Sequence, residues 1–129
     1  MAYWHSHVAH VNIVGRNFEG DHTLLKGIYE SRQGEIDVIA ELLRTTGEMM
    51  PDNLGDVMSG SRIPDLPVAG SADSLLQMTL DDVVILCDSF TDLNDAATKA
   101  GEDHIANYAQ EQILALKRDA WMLTSTLES

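Results

Sequence analysis

Several things are scarce in this chain, and each scarcity excludes something. A single cysteine, Cys87, stands in 129 residues. No disulfide can form within the chain, and the composition fits a reducing compartment. Cys87 lies among Val83, Val84, Leu86 and Phe90, which reads as a packed thiol and not as a nucleophile. No apolar run approaches the roughly 18 residues that a membrane helix needs, and the N-terminus lacks the basic-then-apolar pattern of a secretory signal. The expectation is a soluble, cytoplasmic protein with no membrane partner. Cations are also few: Lys and Arg number 8 against 21 Asp and Glu, for a formal charge of −13. Only Lys117 and Arg118 are adjacent, and neither end is basic. Nucleic-acid affinity rests on cationic side chains that displace counterions, so direct DNA binding is not expected.

Only 3 prolines occur, and hydrophobic content is an ordinary 44%. Together these favour a folded, all-α chain. The length suits one domain spanning residues 1–129, with a modest core. Residues 2–14 read as a short helix with Trp4, Val8, Val11 and Val14 on one side. His7 and His10 flank that stripe on a shared face, and for histidines this near an N-terminus solvation is the simpler reading. Gly15 to Asp21 reads as a turn with Phe18 plugging the bundle end. A long helix follows over about 21–46, interrupted by Gly27 and Gly34. Residues 47–72 are punctuated by Gly47, Pro51, Gly55, Gly60, Pro64, Pro67 and Gly70. A short helix near 52–59 is expected inside this stretch. A connection so long cannot be a tight turn between antiparallel neighbours; it suggests a crossover along a four-helix bundle.

Two more helices complete the chain. Over about 71–99 the set Leu76, Leu80, Val83, Val84, Cys87, Phe90, Asn94 and Ala97 has helical period. Asp81, Asp88, Asp92 and Asp95 form an acidic stripe opposite, with Asp82 beside it, which reads first as a solvated face. Gly101 ends that helix, and the last runs from about 103 to 127. It places Ile105, Tyr108, Ala109, Gln112, Ala115, Leu116, Trp121 and Leu123 near a core or an interface.

The stretch from His10 to Glu41 carries the chemistry. Leu25, Ile28, Tyr29, Ile36, Ile39, Ala40 and Leu43 recur at helical spacing. On that helix Asp37 and Glu41 share a face one turn apart. His22 points to within about 60° of Asp37 but lies about 22 Å away along the axis. One helix therefore cannot offer both to a single metal. The gap closes if a second copy of the helix runs antiparallel and crosses near Tyr29–Glu30, so that a twofold dimer sets His22 of one subunit opposite Asp37 and Glu41 of the other. On spacing alone, a surface carboxylate pair and a loop or core histidine remain the plainer alternative.

The pattern A-H-V-N, then G-x-x-F-x-x-x-H-x-L, then I-D-x-x-A-E resembles the signature of the Dps proteins, the miniferritins of the ferritin-like superfamily. His10, His22, Asp37 and Glu41 match it in type and spacing. The C-terminal KRDAWMLTSTLE, with Trp121, resembles the end of the family's last helix. The resemblance implies a ferritin-like bundle with a short extra helix in the crossover. It implies that His10 and His22 from one subunit, with Asp37 and Glu41 from the twofold mate, form a ferroxidase site. There Fe(II) would be oxidised by hydrogen peroxide or oxygen, with ferric mineral stored in a hollow homo-oligomer, a dodecamer built from twofold dimers, as protection against oxidative damage. Such a nitrogen and oxygen shell suits iron, with Zn(II) as competitor. The acidic stripe acquires a second reading, a path for cations.

Three departures stand out. The first helix is about half the family's length. Lys26 occupies a position where many members carry an aspartate, and Val11 stands where a tryptophan usually follows the first histidine. These departures motivate an alternative, a non-catalytic structural or interaction protein that keeps the fold.

Overall fold

The computed structural model describes residues 1–128. It contains five helices and, among the described residues, no strand: α1 (Ala2–Asn12), α2 (Phe18–Thr45), α3 (Leu54–Gly60), α4 (Ala72–Ala100) and α5 (Asp103–Leu127). The all-α expectation holds. At 11 residues, α1 is far shorter than the 28 of α2. The chain divides into two compact units, Met1–Leu75 and the part from Leu76 onward.

In the first unit, α1 and α2 form a hairpin through residues 13–17, where Gly15 turns the chain at φ +136°. That value favours glycine, since a Cβ would be strained there. α2 begins at Phe18, earlier than its apolar period suggests, because Glu19 and Asp21 favour the positive end of the helix and Asp21 accepts from Asn17 Nδ2 at 2.8 Å. Phe18 is thus the first residue of the helix and half-exposed, not a plug in a turn.

The phase expected for α1 is reversed. Its buried side is His5, Ser6, Ala9 and His10, continued by Ile13, whereas Trp4 is 57% exposed and Val11 and Val14 face outward. Small and polar residues allow a close approach to α2, provided that their polar atoms find partners. Ser6 Oγ donates to the Ala2 and Tyr3 carbonyls at 2.7 and 3.0 Å. His5 is 1% exposed, and His10 of the pair read as solvated is also buried. Trp4 and Val8 instead line an open cleft of about 400 Å³ with Asp65, Leu66, Pro67 and Val68.

α3 sits within the long connection as expected. Its N-cap is Asn53, whose side chain accepts from the Asp56 amide at 2.9 Å. Ser71 does the same for the start of α4, accepting from the Ser74 amide at 3.1 Å.

In the second unit, α4 stops at Gly101, with φ +73°. The Glu102 amide bonds the Ala97 carbonyl and the Gly101 amide bonds that of Thr98. This paired closure of a helix end is the Schellman arrangement. α5 then returns along α4, with Phe90 edge-on to Tyr108 at 6.1 Å and Gln110 donating to Asn94 at 3.0 Å. Leu76, Val83, Phe90 and Ala97 are buried on α4, and Ile105, Ala109, Leu116 and Leu123 on α5. Val84, in the expected apolar set, is exposed, and Asp82, beside the acidic stripe, is buried; Trp121, expected near a core or an interface, is 67% exposed in the single chain.

Candidate metal centre

The hairpin brings His10, near the end of α1, against His22, one turn into α2. Their rings stack with centroids 3.7 Å apart and planes 17° from parallel. Each ring is anchored on the other's backbone: His10 Nδ1 donates to the His22 carbonyl, and His22 Nδ1 to the His10 carbonyl, both at 2.7 Å. A carbonyl oxygen only accepts, so each Nδ1 must carry the proton. In the neutral rings, Nε2 is then left unprotonated with its lone pair available. That arrangement fixes the tautomer of metal-binding histidines, with an outer hydrogen bond orienting the ring and raising its basicity. His10 is 8% exposed and His22 half-buried, so the pair is shielded without being sealed.

Aromatic rings surround this pair. Phe18 stacks on His22 at 4.9 Å, and Tyr29 lies 5.1 Å from His10. Tyr29 also stacks nearly parallel on His7, at 4.0 Å and 9°. Neither Tyr29 nor His7 belongs to the sequence pattern that singles out the histidines. The spacings His22 to Tyr29 and His7 to His10 are the signals that could have found them, since residues seven apart or three apart share a helix face.

Asp37 and Glu41 lie far along α2. The helix is unbroken from Phe18 to Thr45, so their distance from His22 stays near the ~22 Å of ideal geometry. Both carboxylates are exposed, and neither makes a hydrogen bond or ion pair among the described residues. Two like charges one turn apart repel, at a cost of a few tenths of a kcal/mol. Gly27, Gly34 and Glu41 recur at sevens on the same exposed side, and an added Cβ at either glycine would meet nothing within 4 Å. No packing among the described residues explains these glycines.

Two of the four expected ligands therefore meet within the chain, and the other two form a separate pair. Among the described residues, no three side chains of ligating type come together to hold a metal ion. A Glu-x-x-His spacing occurs once, from Glu19 to His22, whereas a bundle that holds both irons itself needs two such motifs on separate helices. Lys26 reaches into solvent towards Glu30, with Nζ to Oε1 at 3.9 Å and both side chains more than half exposed.

The model of the ferritin-like domain matches residues 2–129. This chain belongs to the ferritin-like family, and its relatives are Dps proteins. It is 25% identical over 122 residues to the DNA protection during starvation protein of Helicobacter pylori, covering 94% of this chain and 85% of the relative. To the protein of the same name from Brevibacillus brevis it is 25% identical over 128 residues, or 99% and 86%. Among solved structures, a Dps protein from Bacillus brevis superposes with a TM-score of 0.91 at 25% identity, covering 98% of this chain and 85% of that one. The Helicobacter cinaedi CAIP structure gives 0.88 at 28% identity, covering 97% and 88%. The ferritin-like helical bundle is thereby established. The Dps family is one of iron storage and oxidative protection, and this chain shares that general assignment.

Proposed function

We propose that this Dps protein oxidises Fe(II) with hydrogen peroxide, or with oxygen, at sites completed between subunits, and stores the ferric product. The observation that carries this reading is the reciprocal anchoring of His10 and His22, which leaves one basic Nε2 on each ring. Fe(II) is the substrate. Two neutral imidazoles from one subunit and the Asp37 and Glu41 carboxylates of the twofold mate would match its charge and leave positions open to the oxidant. Zn(II) suits the same donors and is the expected competitor. Two ferrous ions give two electrons to one peroxide, so no hydroxyl radical need escape.

The chain is read as a single domain over residues 1–129, cytoplasmic, assembling through twofold dimers into a hollow dodecamer. Glu30 is near the crossing, and the exposed stripe of Gly27, Gly34 and Glu41 supplies a close-approach surface there. With a charge of −13, protection of DNA would come through removal of iron and peroxide and not through direct binding. The alternative, a non-catalytic structural or interaction protein that keeps the fold, draws on Lys26 and the short first helix; iron oxidation at the wild-type rate in the His22→Ala variant would favour it.

Light scattering of the purified protein, before and after Fe(II) and peroxide, tests assembly and mineralisation together. The expected result is a large particle whose mass rises while ferric absorbance stays soluble. A small particle with ferric precipitate would overturn the proposal.

A further inference from the structure

The open cleft beside α1, of about 400 Å³, shares no residue with the candidate metal centre. Trp4 and Val8, one turn apart on α1, form one wall. Asp65, Leu66, Pro67 and Val68, from the long connection, form the other. The chain on either side fixes this second wall. Ile63 is buried, and Ser61 Oγ donates to its carbonyl at 2.9 Å and accepts from its amide at 3.2 Å. Pro64 and Pro67 hold their backbone φ, so little ordering is left for a ligand to impose. A volume of this order is that of a small-molecule site. Every lining side chain is apolar except Asp65. Asp65 is exposed and makes no hydrogen bond or ion pair among the described residues. Trp4 is 57% exposed, so much of its indole is open.

These groups select the occupant by its chemistry. An anion is opposed by Asp65 and by the chain's charge of −13. A neutral apolar molecule would strip water from the carboxylate without replacing its hydrogen bonds. Divalent cations such as calcium take about six or more oxygens, and one carboxylate is too few. An organic monocation meets every condition. We propose that the cleft binds a small primary amine with an apolar body. Its ammonium is shared between the Asp65 carboxylate and the Trp4 indole, and its body rests against Val8, Leu66, Pro67 and Val68. An exposed ion pair contributes at most about fivefold in affinity, and a cation on an exposed indole about the same. The proposal uses none of the four candidate iron ligands and stands or falls apart from them.

The test titrates phenethylammonium into the intact protein while tryptophan emission is followed. The chain has 2 tryptophans, so Trp121→Phe leaves Trp4 as the reporter, and its emission should change saturably. Phenethyl alcohol, with the same body and no charge, should bind at least about tenfold more weakly. Asp65→Asn should weaken the amine by up to about fivefold. Glu48→Gln removes the same charge from another exposed position and should leave the affinity unchanged. Trp4→Leu, read by calorimetry, should weaken the amine by about fivefold; it covers the case in which Trp121→Phe disturbs the protein. Equal affinity for alcohol and amine, equal losses in Asp65→Asn and Glu48→Gln, or a change that never saturates would overturn the proposal. A lysine-containing peptide that binds more tightly than the free amine would overturn the small-molecule occupant in favour of a protein partner.

Discussion

His10 and His22 each depend on the other's backbone, so neither can be removed without disturbing both. Truncating His22 deletes one lone pair and also the donor that holds the His10 carbonyl. Loss of an outer hydrogen bond alone typically costs about 10–100-fold in metal affinity or activity. His22→Ala and His10→Ala should each slow Fe(II) oxidation by peroxide at least about 10-fold in stopped-flow absorbance; rates equal to wild type would remove these residues from the site. Lys26, more than half exposed and 3.9 Å from Glu30 in the single chain, should behave differently. Lys26→Ala should shift the denaturation midpoint by less than about 0.5 kcal/mol, the usual worth of such a surface pair. At this scale the sequence was legible for the candidate residues, because histidine and carboxylate spacing is written in the chain. The tautomer was not, since it depends on two carbonyls that the hairpin brings to the rings.

The helices themselves show where periodicity suffices and where it does not. Ile105, Ala109, Leu116 and Leu123 mark α5, which runs from Asp103 to Leu127 as their spacing predicts. Trp4, Val8, Val11 and Val14 mark a helix at α1 but assign it the wrong side. Its inner side is built from His5, Ser6, Ala9 and His10, residues that hydropathy counts as polar or weak. For His10 that burial goes with a bond to the His22 carbonyl that only the folded hairpin provides, whereas Ser6 bonds carbonyls of α1 itself. Helix ends carry predictions of their own. Gly101 closes α4 at positive φ, where a Cβ costs about 1–2 kcal/mol. Gly101→Ala should therefore lower stability to urea by about that amount, and an unchanged midpoint would show that the turn relaxes. Gly34 faces open space, so Gly34→Leu should keep the helicity seen by circular dichroism. It should nonetheless weaken assembly in sedimentation, if a second helix passes close by. Intact assembly would place the crossing elsewhere.

For the whole molecule, the charge and the scarcity of apolar runs are plain in composition, whereas the need for a partner is not. One chain leaves Trp4, Val11, Val14, Ile36 and Ile39 exposed and places its acids a helix length from its imidazoles. An exposed apolar surface of this kind is commonly an interaction face, and the proposed oligomer would cover part of it. Complementation between defective subunits asks directly whether the site spans two of them. Subunits carrying His10→Ala and His22→Ala are mixed one to one with subunits carrying Asp37→Ala and Glu41→Ala, then dissociated and reassembled. Each variant alone should be inactive. In the mixture half the twofold dimers are hybrids, and each hybrid has one intact site, so roughly a quarter of wild-type iron oxidation should return. A reassembled mixture no more active than its separate components would contradict the shared site.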